Sequence, residues 1–338
     1  MIELKNDALI FTFPEVHHSA RLTVTFQRTL RIPDDGQEYP LPPGLGRFPM
    51  RHVDDFAANL PKTWIKHGGV LLPIHQAEAL WINFASDWME GHGVPYPFAV
   101  KVGCGKINAI SGGRWSSLPH RRPMQDYLVV PNQPWLDGYC VGKGVIRQFV
   151  AMPLGEGFTA EEQATSRAEH GGLQIQVMPM RREAFDKRFP FRYPEAVEHL
   201  SAYEAAPEYG MGLAPGGKMR QVIAKDIYRL VEWDRSIRSR CFIHLAGSGD
   251  WRRITREKPP ATPITAKAYT DVGLPWFSWY DEDATPVPGS ETLARLKSVA
   301  TLTRKKRRRP LPGNRSVKPR FVVPILPQRL PGQVREME

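Results

Sequence analysis

The chain has 338 residues, 41% of them apolar and 10% aromatic, with a formal net charge of +11. These are globular values, which exclude an intrinsically disordered protein, and the length supports one large core or two modest ones. No apolar run reaches the ~20 residues that span a bilayer, and the start, Met1-Ile2-Glu3-Leu4-Lys5, lacks the basic and apolar regions of a signal peptide, so a cytoplasmic protein is expected.

The N-terminal third reads as strands. Ala8 to Phe13 and Leu22 to Phe26 are apolar or alternate with Thr, as half-buried strands do. Val70-Leu71-Leu72 is a short buried strand. From His75, the residues Ala77, Leu80, Trp81, Phe84 and Trp88 fall on one stripe at helical spacing, which predicts an amphipathic helix ending at Gly91 and Gly93. Phe98–Val102, Tyr127–Val130, Gly144–Val150, Leu173–Val177 and Cys241–Ala246 read as further strands. In Leu173–Val177 the alternation places Gln174 and Gln176 toward water or a partner.

Thr159-Ala160-Glu161-Glu162 has the spacing of a capping box and predicts a short helix running to about Glu169. Ser290 is the cap of a last helix carrying Leu293, Leu296, Lys297 and Ala300. With 32 Pro and 28 Gly, turns and loops are frequent. Strands without regular helical crossovers predict an α+β fold: a mixed, largely antiparallel sheet with a few short amphipathic helices. Cys104, Cys140 and Cys241 fit neither a disulfide framework nor a zinc pattern and are expected as buried free thiols.

Residues 1–300 are expected to form the folded body, with a boundary near 180–210 should it divide into two packed subdomains. Residues 301–338 form a basic, Pro-rich tail, expected to be mobile or docked on a partner. The tail holds eleven Lys or Arg against two acids, whereas the rest of the chain holds 35 against 33. Arg304, Lys305, Lys306, Arg307, Arg308 and Arg309 are consecutive, and Arg315, Lys318 and Arg320 follow. Such a block neutralises phosphates without reading sequence, so nucleic acid or another polyanion is the expected partner. The apolar stretch within 320–327 can add as a strand to the body, to a second copy or to another protein.

The body shows no strong catalytic motif. Gly212 to Lys218 has the G-x-x-x-x-G-K spacing of a phosphate loop, but Met219 replaces the hydroxyl that binds magnesium, and a glycine-rich loop is expected instead. Asp281, Glu282 and Asp283 follow Trp276, Trp279 and Tyr280; acids beside aromatics make these the candidate catalytic residues and ligand platform of a hydrolase-like enzyme. His75 and Glu78 could share a metal, though a site needs three or four ligands. Neither a metal nor a cofactor is expected. The three function classes are thus a non-enzymatic polyanion-binding or assembly protein, which the charge pattern favours, an enzyme with a dispersed site near 276–283, and a structural subunit using its C-terminal arm.

The stretches Gln133–Gly138, Val145–Gly155, Gly171–Ile175 and Gly273–Phe277 resemble an uncharacterised family of soluble bacterial and fungal proteins, some joined to a ubiquitin-like domain. The resemblance spans about residues 20–300. It implies one folded body and carries over no catalytic residue.

Overall fold

A computed structural model describes residues 1–191, 211–279, 285–311 and 313–325. Its principal strands are β1 (Ile2–Lys5), β2 (Ala8–Thr12), β3 (Arg21–Thr29), β4 (Val70–Pro73), β5 (Ala79–Ser86), β6 (Phe98–Cys104) and β7 (Leu128–Val130). The chain continues through β8 (Gly138–Gly142), β9 (Val145–Pro153), β10 (Leu173–Pro179), β11 (Met211–Arg220), β12 (Ser239–Ala246), β13 (Trp276–Trp279) and β14 (Val322–Ile325). The α-helices among the described residues are short: α1 (Lys62–His67), α2 (Ala160–Thr165), α3 (Arg182–Arg188), α4 (Ser248–Thr255), α5 (Ala266–Asp271), α6 (Glu291–Arg295) and α7 (Val299–Lys305). Strand outweighs helix at 36% against 18%, and the large sheet is mainly antiparallel, so the fold is α+β as expected. No described helix is long and apolar enough to cross a membrane.

Hydrogen bonding links β1 to β2, β2 to β3, and β3 to β5 in antiparallel register. Leu80 and Ala79 of β5 then pair with Phe149 and Val150 of β9, which also pairs with β8 and β11. Met211 of β11 meets Leu245 of β12, and β12 runs antiparallel to β10 and parallel to β4. β10 pairs with β6 over seven residues, and β6 with β7. Phe11, Phe26, Phe98, Tyr139, Phe149 and Ile243, from strands at both ends of this series, are fully buried in one core.

Four expectations are overturned, each for a reason that lies outside the local pattern. The segment from Ala79 to Ser86 is strand β5, not helix. Leu80, Ile82 and Phe84 are buried at period two, and Ile82 lies outside the helical stripe altogether. Gln174 and Gln176 are buried, their amides donating to the carbonyls of Gly105 and Ser117 at 2.6 Å each. Loops cover that face of β10, so the polar side chains are satisfied by remote backbone rather than water.

Gly212 to Lys218 is not a loop but the interior of β11. The glycines permit close packing: a Cβ on Gly217 would come within 2.3 Å of the Pro33 carbonyl oxygen. Pro215 is tolerated next to a register shift between Arg147 and Phe149, where the ladder is already broken. Finally, the helix capped by Ser290 stops at Arg295 because Leu296 is extended, and Ser298 caps a separate helix, α7.

Local signals held elsewhere. Thr159 and Glu162 form the full capping box of α2, but the helix ends at Thr165, a turn short of the expected Glu169, with Ser166 left-handed after it. All three cysteines are buried and unbridged.

Candidate polyanion-binding face

The cationic block grows out of α7. The Ser298 hydroxyl accepts the Thr301 amide, and the Asp34 carboxylate accepts that of Ala300 at 2.8 Å. Both bonds satisfy amides that a helix start leaves open. Val299 and Leu302 pack into an apolar cluster with Ala79, Val150, Met152, Phe158 and Ala214. This burial turns Arg304 and Lys305 outward at the carbonyl end of the helix, where positive charge is favoured by the helix dipole.

Beyond the helix the chain folds back. The Lys306 amide donates to the Leu302 carbonyl and the Arg308 amide to that of Thr303, with Arg307 between them at φ +51°. Arg308 is fixed on the body by an ion pair with Glu156, and its guanidinium lies 5.6 Å from the centre of the Phe158 ring. Lys306 Nζ lies 5.6 Å from the same ring. Arg304, Lys305, Arg307 and Arg309 are exposed and form no ion pair among the described residues.

The segment that follows is also seated. Asn314 accepts a hydrogen bond from Arg31 at 2.5 Å, Ser316 donates to Asp35 at 2.7 Å, and Val317 is buried. β14 then pairs in parallel with β13, so the apolar stretch after Arg320 adds a strand to the body of the same chain. Arg315, Lys318 and Arg320 are exposed along this path and extend the positive surface.

The second predicted site is different. Trp276 is fully buried, 6.2 Å from Tyr39, and its indole N–H donates to the Thr270 hydroxyl at 3.1 Å. Its ring faces are taken up by the core and cannot stack on a ligand. Tyr280, Asp281, Glu282 and Asp283 lie outside the described residues, as does the side chain of Trp279.

His75 and Glu78 are committed to structure. The Glu78 carboxylate accepts from Arg28 at 2.6 Å and from the His75 amide at 2.8 Å. No cluster of three or more His, Cys, Asp or Glu among the described residues could hold a metal.

Sequence reasoning missed a cleft beside α2. The Gly112-Gly113 turn folds the chain so that Ile107 bridges Arg114, and this hairpin faces α2 and the residues after it. Glu161 is nearly buried there, accepting from the amides of His170 and Gly171 and from the His170 ring at 3.1 Å. The paired glycines were the one local sign of it; the facing residues arrive from 50 positions further along the chain. Set against known proteins, the chain matches no family model, no curated protein and no solved structure.

Proposed function

We propose that this protein is a binding module for an anionic polymer, nucleic acid above all, and that the face built on α7 makes the contact. One observation carries the reading. Six consecutive cations, Arg304 to Arg309, are displayed on a packed helix end, and among the described residues only Arg308 is paired with an acid. Holding like charges close together costs energy unless a polyanion or counterions compensate, and nucleic acid does so by releasing its own counterions. Seating the block on the body lowers the ordering cost that a free tail would meet on binding. The contact is to backbone phosphate, so little sequence preference is expected.

The test is binding of a labelled DNA duplex, followed by fluorescence anisotropy, with Arg304, Lys305, Arg307 and Arg309 changed together to Gln. Lys306 and Arg308, whose charged groups lie over the Phe158 ring, are left in place. The variant should keep the wild-type melting temperature and lose most of its affinity. Unchanged affinity in a folded variant would remove this face as the binding element.

A further inference from the structure

The cleft beside α2 has a volume of about 470 Å³ and is lined by Lys106, Arg114, Glu161, Thr165, Arg167 and Glu169, with Thr292 of α6 at its edge. That is within the usual range of small-molecule sites, roughly 300–1,000 Å³. Its charges are not balanced. Glu161 is occupied by the His170 ring and two backbone amides, and Glu169 is paired with Arg167 at 2.9 Å. Lys106 and Arg114 are exposed and have no acidic partner among the described residues.

The hairpin fixes these two cations relative to each other. The Trp115 amide donates to the Lys106 carbonyl at 2.8 Å and Ile107 bridges Arg114, so Lys106 and Arg114 stand on neighbouring rungs of one short ladder, and both line the cleft. Gly105, next to Lys106 in the turn, stands where a Cβ would come within 2.4 Å of the Glu161 carboxylate, which brings the hairpin close against α2.

We propose that this cleft is a site for a small phosphorylated ligand, with Lys106 and Arg114 clasping a phosphate dianion. With Arg167 paired to Glu169, Lys106 and Arg114 outnumber the remaining Glu161 carboxylate, so the cleft favours an anion, and a phosphate offers oxygens to both cations at once. A planar guanidinium beside an ammonium suits phosphate oxygens, the first by a bidentate pair and the second as a point charge. The volume exceeds that of a bare phosphate, and Ile107 and Ala164 give apolar surface for the group it is attached to. The exposed Arg167–Glu169 pair can open to contribute a third cation or an acceptor for a ligand hydroxyl.

This site is independent of the α7 face, and the two are tested separately. Inorganic pyrophosphate is titrated calorimetrically into the full chain, into K106Q/R114Q, into R114K and into the four-site Gln variant of the α7 block. The wild type and the α7 variant should bind at one saturable site, R114K should retain binding, and K106Q/R114Q should weaken it by about tenfold or more. Lack of saturable binding, equal binding by K106Q/R114Q, or loss in the α7 variant alone would overturn the assignment. Competition by a 5′-phosphorylated oligonucleotide, compared with its unphosphorylated form, separates the two sources. Competition by the first alone makes the ligand a nucleic-acid end, and competition by neither makes it a free phosphate ester.

Discussion

Asp137 offers the sharpest test of how the core is built. Its carboxyl is buried between β8 and the turn after β11, with Gln221 as its main partner: Gln221 Nε2 donates to Oδ2 at 2.7 Å. No cation among the described residues faces it, and burial, only partly offset by hydrogen bonds from Trp135 and Gln221, pushes its pKa from 3.8 up to about 7. In the unfolded chain the group ionises near its ordinary value. Between these two pH values the folded protein keeps a proton that the unfolded chain has lost, so stability falls as pH rises, and the loss is complete above pH 7. A shift of this size corresponds to about 4 kcal/mol.

His244 works in the opposite direction. Burial lowers its pKa to about 4, so its contribution rises with pH up to the ordinary histidine range. The wild-type profile alone therefore hides both effects, but the difference between wild type and Asp137→Asn removes His244 from the comparison. Urea unfolding of both proteins from pH 4 to pH 8 should show D137N gaining on the wild type as pH rises, by up to about 4 kcal/mol. Any fixed cost of the new amide shifts that difference without changing its slope. A difference that stays constant across the range would refute the picture of an unpaired buried carboxyl.

Other perturbations probe the joints of the structure. Leu302→Ala should cost about 3 kcal/mol, measured by urea unfolding, because Leu302 is buried among residues of β5, β9 and β11; a cost near zero would detach α7 from the fold. Gly138→Ala should destabilise by about 2 kcal/mol or more, since its Cβ would lie 2.0 Å from the Arg147 carbonyl oxygen, backbone that cannot move aside. Thr159→Ala should cost about 1 kcal/mol in the same assay by removing the cap of α2, with Thr159→Ser restoring it.

How much the sequence disclosed depends on where each cause resides. The strands around Val150, Val177 and Ile243 were legible because their apolar and β-branched residues recur in short runs or at every second position. The capping box at Thr159 was legible because all its partners lie within three residues. Ala79 to Ser86 reads as helix because Leu80 and Phe84 satisfy both periods and Trp81 extends the helical stripe; only pairing with β3 along its length decides for a strand. Gln174 and Gln176 were placed outward because their acceptors, Gly105 and Ser117, are 69 and 59 residues away.

The site divides in the same way. The positive charge of Arg304 to Arg309 is visible in the sequence, whereas its seating is not, because the contacts of Val299, Leu302 and Arg308 are with strands and a turn far back in the chain. That seating also makes truncation an ambiguous test of binding. Ending the chain at Ala300 would remove the buried Leu302 and Thr303 and strip β14 from β13, so loss of binding would be confounded with loss of structure.

The most direct measurement is the salt dependence of DNA affinity across a graded series, with two and then four of Arg304, Lys305, Arg307 and Arg309 changed to Gln. Each phosphate contact contributes about 0.9 to the slope of log K against log salt on duplex DNA. The slope should fall stepwise by about that amount for each contacting cation removed, while the melting temperature stays constant. A slope that is the same in the wild type and the four-site variant would contradict the claim that the α7 face binds the polymer.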